Sequence, residues 1–181
     1  VDIFFDGEDD ERVVGSDNYF ELGDINRNNR QDLASTGNGV LTQVYVDSTN
    51  ETVSISVIHT YVAEVARVRD DGDETYITLN DLTITNGPAS SSDRYETDLF
   101  DEDEIVLYTF AENAIQSVVA ADELTGEITR VTEGTSFVVD GTTYKYTFGM
   151  TDTLEAENVD NNVVAYLDAY GYVIYIDESA M

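Results

Sequence analysis

Residues 62–68, "VAEVARV", and 125–131, "TGEITRV", are two copies of one pattern, in which Ala63 matches Gly126, Glu64 matches Glu127, Val65 matches Ile128, Arg67 matches Arg130 and Val68 matches Val131. A chain that repeats itself must fold the same way twice, which constrains this sequence more than any single residue does. After each copy comes an apolar stretch and a turn: "YITLNDLTI" with Asn80-Asp81, and "FVVDGTTYKYTF" with Asp140-Gly141. Asp-Gly between alternating apolar residues is a strong hairpin signal, because a type I′ turn needs positive φ at both central positions.

A second element closes each unit: "QVYVDSTNETVSISV" (43–57), "IVLYTFAENAIQSVV" (105–119) and "VVAYLDAYGYVIYI" (163–176). Read by their letters, Tyr45, Tyr108 and Tyr166 coincide, Asp47 coincides with Asp168, and Val53, Ile115 and Val173 begin the return strand. A period of about 60 residues suits tandem domains better than a solenoid, whose repeats are shorter. The chain therefore divides into 1–59, the C-terminal part of a β module with acidic polar loops, and two full β modules at 60–121 and 122–181.

Each module is a run of short strands and turns, so the expected class is all-β, as tandem small β-barrel or bent-sheet modules of about 60 residues. Val53, Ile55 and Val57 alternate with Ser54 and Ser56, as a half-buried strand requires. The three- and four-residue spacing of Tyr61, Val62, Val65 and Val68, and of Leu124, Ile128 and Val131, suits a helix as well as a bulged strand. Their β-branched content favours the strand. Residues 172–176, "YVIYI", are apolar on both faces, which predicts cover on both sides, from the neighbouring module on one of them. A module of about 60 residues buries only about 60% of its unfolded surface and is marginal alone, so packing in tandem stabilises it.

Thirty-eight acidic residues face eight basic ones, seven Arg and the single lysine Lys145, for a net charge of -30. Nucleic acid is excluded as a partner, since phosphate binding needs a basic surface. Anionic lipid is disfavoured for the same reason. Self-repulsion on this scale calls for screening by cations. The absence of cysteine excludes disulfides and thiolate zinc sites. No apolar run reaches the length of a membrane span, and no export signal opens the chain. Because it starts at Val1 without an initiator Met, it reads as an excised part of a longer protein.

The stretch "GDINRNNRQDL" (23–33) places Asp24, Asn26, Asn28 and Asp32 at the first, third, fifth and ninth places of an EF-hand loop. These four are the candidate metal ligands, with calcium as the candidate ion. The pattern is incomplete: Asn29 stands where Gly belongs and Ser35 where a bidentate Glu belongs, and Arg27 and Arg30 add positive charge. The expectation is a solvated turn. Other acidic clusters, Asp6–Glu11, Asp70–Glu74 and Asp98–Glu104, read as solvated turns that capture cations weakly where two loops converge. His59, the single histidine, sits in the strand-like "SVIHTY" and reads as structural. No nucleophile elbow, zinc-protease pair or phosphate loop is present. Tyr144, Tyr146, Tyr172 and Tyr175 serve packing first, an exposed tyrosine platform for sugar rings being the alternative.

The stretches "FDEDEIVLYTFAENAIQSVVAADELTGEITRVTEGTSFVVDGTTYKYTF", "NNVVAYLDAYGYVIYI" and "VYVDSTNETVSISVIHTYVAEVARV" resemble the repeated β-rich region of large surface proteins of Gram-positive Clostridia that carry S-layer homology domains. The resemblance covers about residues 40–177. It implies an extracellular location, associated with the cell wall or S-layer, and a non-enzymatic structural or spacer role beside neighbouring modules of a longer chain. In proteins of the resembled family the stretch matching 24–32 often looks like Asp-x-Asp-x-Asp-Gly, and this chain departs from it at Asn26, Asn28 and Asn29. Two alternatives stand beside that role: a calcium-assisted binding module for wall polysaccharide or another surface ligand, and a hydrolase whose carboxylates are hidden among the other acids.

Overall fold

The computed structural model describes residues 2–5, 8–9, 39–72, 74–82, 87–147 and 150–177. In chain order the strands are β1 (Asp2–Phe5), β2 (Glu8–Asp9), β3 (Val40–Asp47), β4 (Thr52–His59), β5 (Tyr61–Asp70), β6 (Thr75–Asp81), β7 (Tyr95–Glu96), β8 (Ile105–Ala111), β9 (Ala114–Ala120), β10 (Asp122–Thr132), β11 (Ser136–Val139), β12 (Thr142–Lys145), β13 (Asn162–Leu167) and β14 (Val173–Ile176). A single 3-10 turn at Ala156–Asn158 is the remaining regular element among the described residues. The fold is all-β, as the alternation predicts.

Three sheets result, with orders β2-β1-β4-β3, β7-β6-β5-β8-β9 and β12-β11-β10-β13-β14. Numbered within itself, each five-stranded sheet runs third, second, first, fourth, fifth, with every pairing antiparallel. Thr60 and Ala121, at the expected unit limits, are single residues between β4 and β5 and between β9 and β10.

The two central strands share one irregularity. The β5–β6 register shifts between Val65 and Arg67, and the β10–β11 register between Ile128 and Arg130. At each shift the following loop clasps the core residue. Val65 donates to the Glu104 carbonyl at 2.8 Å and accepts from Asp103 N–H at 2.9 Å; Ile128 donates to the Asn161 carbonyl at 2.9 Å and accepts from Asp160 N–H at 2.8 Å. Asp103 and Asp160 hold φ of 71° and 70° to do so, a conformation Asp tolerates better than most residues. The bulge also accounts for the helix-like spacing: one inserted residue puts the inward positions Val65 and Val68, or Ile128 and Val131, three apart instead of two.

Inside the second sheet Val65, Ile77, Leu79, Val106 and Tyr108 form the core; inside the third, Ile128, Phe137, Val139, Val163 and Val173. Each large apolar side chain so buried contributes about 1.5–3 kcal/mol before entropy is set against it. A third cluster joins the two sheets: Val62 of β5, Leu107 of β8 and Ile174 of β14 are all under a tenth exposed. Ile174 is thus the outward residue of "YVIYI", covered by the neighbouring sheet, while Val173 and Ile176 face the third sheet's own core.

The equivalence of the three tyrosines needs correction. Val46 pairs with Val53, Phe110 with Ile115 and Leu167 with Val173. The preceding residues are Tyr45, Thr109 and Tyr166, so Tyr108 stands one place early and corresponds to Val44 and Ala165. A one-residue slip changes the face a side chain takes. Tyr108 accordingly points into the second core, as Ala165 points into the third, whereas Tyr166 stacks on Tyr175 at 6.0 Å between centroids.

The Asp140-Gly141 turn forms as predicted: Val139 pairs with Thr142, and φ is 50° and 79° at the two central residues. Glu112 and Asn113, at 53° and 60°, make a second two-residue turn between Ala111 and Ala114. The third sheet also closes on itself. Beyond β12, Tyr146 bridges Val173 in parallel and Thr147 N–H donates to the Val173 carbonyl at 2.8 Å, making a nearly closed barrel.

Candidate functional site

The candidate metal ligands Asp24, Asn26, Asn28 and Asp32 lie outside the described residues, as does most of the Asp6–Glu11 cluster. Among the described residues two features gather polar chemistry. One is an open cleft in the second sheet; the other is a buried carboxylate that joins the first hairpin to the third sheet.

The cleft lies where the second sheet is not closed. Register equates Tyr95 and Glu96 of β7 with Tyr144 and Lys145 of β12, since Ile77 pairs with Tyr95 as Phe137 pairs with Tyr144. Past β12 the chain bridges to β14; among the described residues no ladder joins β7 to β9. The gap is a cleft of about 550 Å³ with Glu74, Tyr95, Glu96, Asp98 and Leu99 on one side and Val118 of β9 on the other. Glu74 belongs to one acidic cluster and Asp98 to another, so two loops do converge here. Glu96, outside both clusters, adds a third carboxylate where the third sheet has the chain's single lysine. Leu99 is 78% exposed at the rim. Beside the cleft the Arg94 guanidinium lies over the Tyr76 ring, 4.6 Å from its centroid, and supplies the local positive charge. Two further acids of the 98–104 loop bind backbone: Glu102 accepts from Val68 N–H at 3.2 Å and Glu104 from Asp101 N–H at 3.2 Å.

The buried carboxylate is Asp168, 2% exposed. One oxygen accepts Tyr170 and Tyr172 N–H at 2.9 Å each, shaping the β13–β14 turn; the other accepts Gly39 N–H at 2.7 Å, just before β3. Gly39 in turn accepts Thr60 N–H at 2.7 Å. Its φ of 78°, and the 3.3 Å that would separate an added Cβ from Thr147 Cγ2, explain why glycine stands there. Asp47, the counterpart in the first hairpin, makes the same kind of turn in solvent, where Asn50 and the Thr49 N–H hold its carboxyl below the usual range.

Among the tyrosines, Tyr108 donates to Asp81 at 3.0 Å and stacks on Tyr61 at 5.3 Å; burial first, then the Asp81 charge, pushes its phenol well above the ordinary range. Tyr146 is raised by burial and accepts Leu154 N–H at 3.1 Å. Tyr45 and Tyr170 are exposed. His59 pairs with Val40 at the end of β4, its ring 6.3 Å from that of Tyr61.

The letters match Asp168 with Asp47, but the burial of Asp168 and its bond to Gly39 leave no local signal, because the two residues are far apart in the chain. Glu96 and Tyr95 were findable by aligning "RYET" with "TYKY" across unequal connections. Among the described residues no helix is long and apolar enough to cross a membrane. The chain matches no protein-family model, and it matches no curated protein sequence.

Proposed function

We propose that this chain is a non-enzymatic structural or spacer region of a bacterial cell-surface, S-layer-type protein, packed against neighbouring modules of a longer chain. The observation that carries the reading is the Asp168–Gly39 bond. Burying a carboxylate is costly unless it is hydrogen-bonded, and here two of its described backbone partners shape its own turn while the third, Gly39 N–H, ties that turn to the start of the first hairpin. Among the described residues Asp168 is the most buried acid, and its bonds hold backbone in place. The Ile174 seam between the sheets serves the same end. A chain with 38 acids against eight basic residues suits an environment that supplies cations to screen it.

A second reading, a binding module for wall polysaccharide or another surface ligand with calcium assisting, is favoured by the open cleft, where Tyr95 and three carboxylates offer a ring and hydrogen-bond acceptors. Brief protease treatment of intact cells of the source organism, with mass spectrometry of the released peptides, tests the first reading. Peptides from 40–177 should be released before lysis; their recovery only from lysed cells would overturn it.

A further inference from the structure

The third sheet closes through two residues beyond β12, and the second sheet holds the same two positions unclosed. Glu96 ends β7 at the register where Lys145 ends β12. One residue on, Thr97 N–H donates to the Thr75 carbonyl at 2.9 Å, as Tyr146 N–H donates to that of Thr135 at 3.5 Å. Thr97 and Asp98 thus stand where Tyr146 and Thr147 stand. On the facing strand Phe110 pairs with Ile115 as Leu167 pairs with Val173, which puts Ile115 at the place of Val173. Thr147 N–H donates to the Val173 carbonyl at 2.8 Å. The corresponding bond in the second sheet would run from Asp98 N–H to the Ile115 carbonyl. Among the described residues it is not made, and Asp98 N–H has no partner.

The gap is narrow. Cα atoms of β7 and β9 come within 8 Å of each other, and since paired strands lie about 4.8 Å apart, a shift of roughly 3 Å brings them to pairing distance. Two differences from the third sheet keep them apart. Glu74, Glu96 and Asp98 line the cleft between the strands, whereas the closed sheet has Lys145 and Thr147 at the places of Glu96 and Asp98. The chain also leaves β7 in a local bend: Thr97 Oγ1 accepts Leu99 N–H at 3.2 Å, while its counterpart Tyr146 accepts Leu154 N–H, further along the chain, at 3.1 Å. Leu99, 78% exposed at the rim, works the other way, because closing takes its side chain out of water.

We infer that the second sheet is a gate, open in this structure, whose closed form makes the Asp98–Ile115 bond and shuts the cleft. Screening of Glu74, Glu96 and Asp98 by cations drives the closing. All three side chains are exposed, so their repulsion reaches as far as the salt allows, about 30 Å at 0.01 M ionic strength and about 3 Å at 1 M. The response follows ionic strength and needs no metal site. The gate is a property of this sheet and goes beyond both readings of the chain's role. Under the second of them it would regulate access to the cleft.

Amide hydrogen exchange of the full chain, read residue by residue, tests the gate. Between about 10 mM and about 1 M sodium chloride, exchange at Asp98 should slow about tenfold or more, while Thr147 stays protected throughout. Screening alone quickens base-catalysed exchange on an acidic surface, because hydroxide is no longer repelled, so slowing reports a new bond. The variant E74Q/E96Q, altered at two exposed side chains, should show the slowed exchange already at about 10 mM salt. Exchange at Asp98 that salt leaves unchanged or quickens would overturn the proposal, as would exchange in E74Q/E96Q as fast as in the wild type. So would slowing that grows with the concentration of the chain, since the bond would then lie between copies. Protease release from cells does not depend on the gate, so the gate and the proposed location fail separately.

Discussion

The Asp168 carboxylate accepts the Gly39 N–H at 2.7 Å, tying a turn of the third sheet to the residue that opens the first hairpin. Asp168→Ala removes the acceptor of three N–H groups in a buried setting and should cost about 3 kcal/mol, read as a lower urea midpoint. Asp47→Ala, at the matching but exposed turn, should shift the midpoint much less. Equal shifts would mean that the buried bond adds nothing beyond shaping a turn.

Gly141→Val places a β-branched residue at φ 79°. Nothing lies within 4 Å of the added Cβ, so the penalty is conformational: a loss of more than about 1 kcal/mol. An unchanged melting temperature would count against the two-residue turn.

Tyr108, Tyr146 and Tyr166 are all held above the ordinary phenol range, with burial the first cause in each. A group whose folded pKa exceeds its unfolded value gives stability that is full below the unfolded value and lost as pH rises towards the folded one. Stability should therefore hold to about pH 10 and fall above it. With one lysine in the chain, little other than tyrosine titrates there before arginine. Tyr108→Phe should be less stable at neutral pH, having lost its bond to Asp81, and should show a shallower alkaline fall. Parallel curves would remove Tyr108 as a source.

Much of the all-β fold was legible in the letters, because alternation and turn residues mark its strands. The pairs Val65 with Ile128 and Arg67 with Arg130 predicted matching strands, and the structure adds that both strands bulge at the same step. The apolar run at 172–176 foretold its cover on both faces. Tyr108 misled, since identical letters one place out of register look like a match while the side chains take different faces. The cleft was out of reach because it arises from what β7, among the described residues, lacks relative to β12, a bridge to the last strand. That contrast depends on geometry beyond the 82–94 connection. The loop bearing Asp24 and Asp32 lies outside the described residues.

For that loop, the incomplete ligand set predicts screening without a specific site. Calcium chloride and sodium chloride at matched ionic strength should raise the melting temperature alike, and Asp24→Ala should be silent. A site filled at 100 times its dissociation constant would instead add about 2.7 kcal/mol with calcium alone. Loss of such a gain in Asp24→Ala would establish the loop as a calcium site.

The central claim is that the two five-stranded sheets and the first hairpin are held as one body by buried contacts between segments, Asp168 to Gly39 and Ile174 to Val62 and Leu107. Equilibrium urea unfolding followed by far-ultraviolet circular dichroism and tyrosine fluorescence tests it most directly. The wild-type chain should unfold in one transition with coincident probes, and Asp168→Ala should lower that transition or split it. Separate transitions in the wild type, with the earliest unmoved by Asp168→Ala, would contradict the claim.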